Sequence, residues 1–197
     1  MAEEKQSVRA FVSIHIPAGV RERLQAVQAE LERAFPESAV RWTPFEQLHL
    51  TLEFLGNVAT GNLPPLEDAL KQVTTSHRPF ELSAGRVGAF SSIRNPRVIW
   101  AGIGGEVDAV KALQSDVKNS VRSFVAEQET RAFKPHVTLG RVRPVKARDL
   151  RQVSDALAAA AERDFGSWRV GEFALMQSKL SPHGSEHSTL ATFPLGG

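Results

Sequence analysis

A four-residue pattern, His, apolar, Thr, Leu, occurs at His49-Leu50-Thr51-Leu52 and again at His136-Val137-Thr138-Leu139. Each copy sits in apolar alternation, and period two marks a strand whose neighbouring side chains point to opposite faces. Leu48, Leu50 and Leu52 then face a core while His49 and Thr51 share the other face; Val137 and Leu139 back His136 and Thr138 in the same way. Glu53 follows Thr51 by two residues and is expected on its face. Two such strands facing each other bring two imidazoles and two hydroxyls into one cleft. That set suits acid–base chemistry on an anionic group.

A third copy, His187-Ser188-Thr189-Leu190, has a polar residue where the others are apolar, and its lead-in, residues 181–186, reads as a loop. Its strand would be short and near the last residue, a poor place to hold an imidazole to a fraction of an ångström. His187 is therefore expected to stand outside the catalytic pair.

The remaining elements fall around the two motifs. Val8 to Ile16 reads as a strand, and Pro17 opens a helix whose Val20, Leu24, Val27, Leu31 and Phe35 recur every three or four residues. Ala39 to Trp42 is a short extended stretch, and Gly56-Asn57 is expected to close the first His strand. A helix from Leu66 to about Ser76, strands Phe80–Val87 and Arg97–Ile103, and a helix from Val107 to Phe124 lead to the second motif. A helix over Ala147 to Glu162 and strands Trp168–Leu180 and Thr189–Phe193 follow. His15 ends its strand and is expected to be structural. Each half thus has a His strand, then a helix, then strands. The expectation is an α+β fold, a single bilobal domain over residues 1–197, with two pseudo-symmetric antiparallel sheets, helices on the outer faces and a central groove.

Composition narrows the chemistry. Hydrophobic residues make up 42% of the chain, enough for a core, and no apolar run is long enough to span a membrane. The acidic, polar start is not a secretory signal, so a cytoplasmic protein is expected. With no Cys there is no disulfide, thiolate metal site or Cys nucleophile. Net charge is only +2, but Arg131, Lys134, Arg141, Arg143, Lys146 and Arg148 form a basic stretch without an acidic residue, and Arg94 and Arg97 add a smaller pair. Lys146 and Arg148 read as a solvated face, whereas the residues flanking His136 suit an anionic ligand.

Two His with no third ligand argue against catalytic zinc, and no G-x-x-x-x-G-K loop is present. Metal-free acid–base catalysis remains: one neutral imidazole takes a proton from water and the other, protonated, gives one to the leaving oxygen. Thr51 and Thr138 would donate to non-bridging phosphate oxygens, and Arg141 could reach the same anion.

Gln-Leu-His-Leu-Thr-Leu-Glu-Phe-Leu-Gly and Phe-Lys-Pro-His-Val-Thr-Leu-Gly-Arg-Val resemble the paired signatures of the two-histidine phosphoesterase superfamily. Within it the chain is similar to the RNA 2′,3′-cyclic phosphodiesterases, also called 2′-5′ RNA ligases. Further likeness lies in the opening Arg-Ala-Phe-Val-Ser-Ile, Val40-Arg41-Trp42, Gly88-Ala89-Phe90, Pro96 to Trp100 and Ser178 to Pro182. The resemblance implies hydrolysis of a terminal ribose 2′,3′-cyclic phosphate to a 2′-phosphate, with no metal and no cofactor. RNA ends bearing a 2′,3′-cyclic phosphate or a 2′-phosphate are the implied partners, with no membrane; a monomer is expected. It carries His49 and His136 as catalytic, the former as acid and the latter as base. Thr51 and Thr138, with Arg141, are carried as phosphate ligands. Phe54, Trp42 and Phe133 are candidates for stacking on a base, although the usual burial of large aromatics favours the core for each. His187 falls where such proteins commonly carry an aromatic residue. The alternative is an RNA-binding or 2′-5′ end-joining module whose hydrolysis is incidental.

Overall fold

Apolar alternation becomes nine strands and apolar three-to-four spacing becomes four helices in the computed structural model, which describes residues 6–125, 130–143, 147–181 and 184–196. Expectations placed on Met1 to Lys5, Lys146, Pro182, His183 and the Arg148 side chain lie outside the described residues. In chain order the elements are β1 (Ser7–His15), α1 (Ala18–Ala34), β2 (Val40–Trp42), β3 (His49–Ala59), α2 (Leu63–Thr74), β4 (Phe80–Phe90), β5 (Val98–Gly105), α3 (Val107–Ser120), β6 (His136–Val142), α4 (Ala147–Ala159), β7 (Asp164–Val170), β8 (Glu172–Ser181) and β9 (Gly184–Pro194). Among the described residues no helix is long and apolar enough to cross a membrane.

The strands run β7-β4-β5-β6-β3-β1-β8-β9, with β2 added to β6, and every pairing is antiparallel. The centre is thin. β3 and β6 pair only at Leu50↔Val137, so an antiparallel half built on β3, β1, β8 and β9 meets another built on β6, β5, β4 and β7 at one bridge. The two expected sheets are thus halves of one sheet, joined between the two motifs.

Helices tie the halves together by crossing over. α1 follows β1 yet packs with α4 on the β6 half, while α3 follows β5 yet packs with α2 on the β3 half. The α1 stripe Val20, Leu24, Val27 and Leu31 is buried, and Leu24→Ala would cost about 2–5 kcal/mol through the cavity it leaves. On the same helix the buried Gln28 donates from Nε2 to the carbonyls of Thr43 and Leu139, at 2.9 and 2.8 Å. These bonds fix α1 directly behind β6.

The sheet is also curled. β7 and β8 lie far apart in strand order, yet only Gly171 separates them in the chain. Two residues of extended chain span about 7 Å, so the end of β7 must lie beside the start of β8. The single run expected over Trp168–Leu180 is therefore two strands, one in each half.

Three other boundaries move for local reasons. Gly56 does not end β3; at φ +67° it sits beside a register shift, and the strand continues to Ala59. α2 begins at Leu63 because Pro64 and Pro65 are tolerated in a first turn, where their missing N–H groups would be unpaired anyway. β9 begins at Gly184, so the residues just before His187 are strand, not loop.

Candidate active site

Register decides which side chains share the cleft. Phe11, Ser13 and His15 alternate along β1 on one face, and they pair with Phe54, Thr51 and His49. Between Ser13↔Thr51 and Val12↔Glu53 strand β3 gains one residue, Leu52, which is a β-bulge. β6 does the same: Trp100 pairs with Thr138 and Ile99 with Gly140, leaving Leu139 as the extra residue. The Leu that ends each motif is thus the bulged residue. A bulge shifts the alternation by one, so the residue three past each Thr returns to the cleft: Phe54 in β3 and Arg141 in β6.

The bulge overturns the expectation for Glu53. Its carboxylate is buried under α3, where Gln114 Nε2 donates to it at 3.1 Å. Phe54 takes the cleft position instead and is 59% exposed, against the expectation of a core aromatic.

Both imidazoles are oriented in one way. His49 Nδ1 lies 2.6 Å from the Gln47 carbonyl and His136 Nδ1 lies 2.7 Å from the Lys134 carbonyl. A carbonyl only accepts, so each Nδ1 carries the proton and each Nε2 is left for chemistry. Antiparallel register about Leu50↔Val137 sets His49 opposite Thr138 and Thr51 opposite His136. Burial pushes the His49 pKa down to about 4, opposed by its bond to Gln47 and aided by the neighbouring His187, His15 and His136. The His136 pKa is also lowered, first by burial and then by the Arg141 charge, against its bond to Lys134.

The walls differ. Phe11 lies 5.0 Å from the His49 ring and forms, with Ala174 and Met176, a small apolar floor separate from the main core. His187 completes that wall, 5.5 Å from His49 and 4.9 Å from Phe11. On the other side Phe90 stands edge-on to His136 at 4.8 Å and leans on Trp100 at 5.6 Å. Gly88 permits this: a Cβ there would come within 2.3 Å of the Trp100 ring. Arg41 of β2 pairs directly with Arg141. Like charges placed opposite repel, an arrangement suited to an anion between them.

Of the sequence-derived residues, His49, Thr51, Phe54, His136, Thr138 and Arg141 come together on the cleft face. Trp42 does not. It lies on the opposite face of β2 from Arg41, 5.9 Å from Phe35, because alternation sends it under α1. Phe133 is partly buried against the core before β6 begins. His15, read as structural, is exposed on the cleft face opposite His49. Phe11, Ser13, Arg41, Phe90 and Trp100 lie in stretches that carry the family likeness but have no site role in the sequence reading, because which strands neighbour the motifs is not written in any one stretch. Among the described residues no group of three or more His, Asp or Glu side chains is placed to hold a metal ion.

A curled antiparallel sheet with mirrored, bulged His-x-Thr-Leu strands at its seam defines the two-histidine phosphoesterase class. The chain belongs, within that class, to the family described as LigT like phosphoesterase, whose model matches residues 14–100 and 104–185. An RNA 2′,3′-cyclic phosphodiesterase of Methanothermobacter thermautotrophicus is 30% identical over 189 residues, covering 95% of this chain and 99% of that protein. One from Archaeoglobus fulgidus is 32% identical over 186 residues, 94% of this chain and 99% of its own length. Among solved structures, E. coli LigT complexed with 3′-AMP superposes with a TM-score of 0.78 at 25% identity, covering 98% of this chain and 100% of that one.

Proposed function

We propose that the protein opens the terminal 2′,3′-cyclic phosphate of an RNA chain to a 2′-phosphate, using His49 and His136 and no metal. The observation that carries this reading is the pair of Nε2 atoms presented from mirrored strands, each ring held through Nδ1 by a backbone carbonyl. The names of the archaeal relatives support the substrate class.

With the cyclic phosphate at the seam, neutral His136 takes a proton from water as its oxygen attacks phosphorus. The P–O3′ bond breaks, and protonated His49 gives its proton to O3′, leaving the phosphate on O2′. Thr51 and Thr138 donate to the non-bridging oxygens, where charge grows, and Arg141 and Arg41 add positive potential. This polarity follows the resemblance to the two-histidine phosphoesterases; burial lowers the pKa of both rings. A fixed cation beside His136 keeps that ring neutral when the anion arrives. Burial pushes His49 down to about 4, with smaller contributions from His187, His15 and His136, so this ring takes up its proton as the phosphate anion arrives beside it.

RNA ending in a 2′,3′-cyclic phosphate, incubated with the protein and excess chelator, should yield 2′-phosphate ends. Activity that disappears on chelation, or a 3′-phosphate product, would overturn the reading. The facing Arg41 and Arg141 also favour a second reading, an RNA-end binding or joining module. Binding that falls steeply with salt, survives replacement of both His and shows no turnover would select it.

A further inference from the structure

The third His-x-Thr-Leu repeats the local structure of the other two. Met176 pairs with Thr189 and Ser178 with His187, while Leu175 pairs with Ala191, so Leu190 is again the extra residue of a bulge. Met176 also pairs with Phe11. His187 and Thr189 therefore lie on the face that carries Phe11, Ser13 and His49. In a flat sheet with strands ~4.8 Å apart, β9 would stand ~14 Å from β3. The curl closes that gap, and the His187 and His49 rings are 5.5 Å apart. Gln47 fixes the arrangement: its side chain donates to the Ser185 carbonyl, and its own carbonyl holds His49.

Between the first and third motifs lies a cavity of about 150 Å³, lined by Ser13, His15, Arg21, His49, Met176 and His187 among others. Ser13 is wholly buried and its hydroxyl has no partner among the described residues, an arrangement that asks for a ligand atom or an ordered water. The buried Arg21 Nε is also unpartnered, although the guanidinium pairs with Glu46 at 3.0 Å. The Thr189 hydroxyl has the Met176 sulfur at 3.5 Å, a weak acceptor. Glu46 also lines the cavity, but its carboxylate is engaged by Arg21; the groups left unpaired are donors, and the volume suits a phosphate group rather than a base.

We infer that His187 and Ser13, flanked by Thr189 on the same strand face, form a second oxyanion subsite, which takes the phosphodiester on the 5′ side of the terminal nucleotide. This rests on the cyclic-phosphate reading of the first site. A terminal cyclic phosphate has its only neighbouring phosphate on that side, and the third motif is the half-site next to His49.

The test compares ligands with and without that phosphate. Calorimetry should show adenosine 3′,5′-bisphosphate binding about tenfold tighter than adenosine 3′-monophosphate to the wild type. In His187→Phe, which keeps a ring on Phe11, and in Ser13→Ala, that preference should fall toward one. Equal wild-type affinities, or a preference that persists in both variants, would overturn the subsite. In turnover, the kcat/KM ratio of a cyclic-ended dinucleotide to a mononucleoside 2′,3′-cyclic phosphate should drop about tenfold in His187→Phe. Equal losses on both substrates would make His187 a positioning residue for His49 and overturn the proposal. If the wild type hydrolyses neither substrate while the bisphosphate preference holds, the cyclic-phosphate reading fails and the subsite stands.

Discussion

The β3 half and the β6 half carry the same device with different surroundings. In each, a bulged Leu follows Thr, Nδ1 donates to the carbonyl two residues back, and an aromatic ring braces the imidazole. Three residues past the Thr the halves part: exposed, apolar Phe54 on one side, cationic Arg141 facing Arg41 on the other. His49 has His15 and His187 as neighbours, whereas His136 has Arg141. The two imidazole devices are near-symmetric, while the charges and rings around them are not. Two identical side chains, held in the same way, are distinguished by their burial and by what lies three residues past each Thr.

The largest effect tests the symmetric part. His49→Ala and His136→Ala should each lower kcat about 100-fold or more, the scale for general acid–base groups. A variant that stays within tenfold of wild type in steady-state assays would break the pairing. The acidic limb of the kcat profile should vanish in the His136 variant; its loss in the His49 variant instead would reverse the roles.

Next comes the asymmetric cation. Arg141→Ala should raise KM about tenfold through loss of a charge-assisted contact. It should also raise the His136 pKa while leaving that of His49 in place, followed by NMR titration of the two rings. Equal movement of both rings would show that Arg141 does not distinguish the halves.

Phe54→Ala should raise KM about fivefold for nucleotide substrates, near the low end of a base-stacking contact. An unchanged KM would mean that the exposed ring touches no base.

The last effect is on stability, away from turnover. The unfolded chain binds a proton at His49 near pH 6.5, while the folded chain binds it only near pH 4. Between these values the unfolded state holds more protons, so stability is full above about pH 6.5 and falls as pH drops toward 4. The urea midpoint should decline across that window, and less steeply in His49→Phe.

How much of this was legible depended on how local the cause was. Alternation located β1, β3 and β6, and apolar spacing located α1, because each pattern is written over one turn or one pleat. Gly171 hid the break between β7 and β8, since a strand on either side of one glycine reads as one run. The bulges misled in a specific way: period-two counting carried Thr51's face to Glu53, when an extra Leu52 handed it to Phe54. Trp42 and Arg41 show the same limit, because adjacent residues on a three-residue strand differ only in which side faces the helix.

By itself the sequence determined the paired His-x-Thr strands, the α+β order of elements, the basic approach to the second motif and the family. Those depend on residue identity and short spacing, which one chain carries in full. The tertiary structure decided that the halves share one sheet through Leu50↔Val137, that the charge acting on His136 is that of Arg141 while Lys134 supplies its carbonyl, and that His187 reaches His49 across two intervening strands. Each of these depends on register and curl. Both arise from how strands twist and pair across the whole sheet, a property that no single stretch of the chain contains.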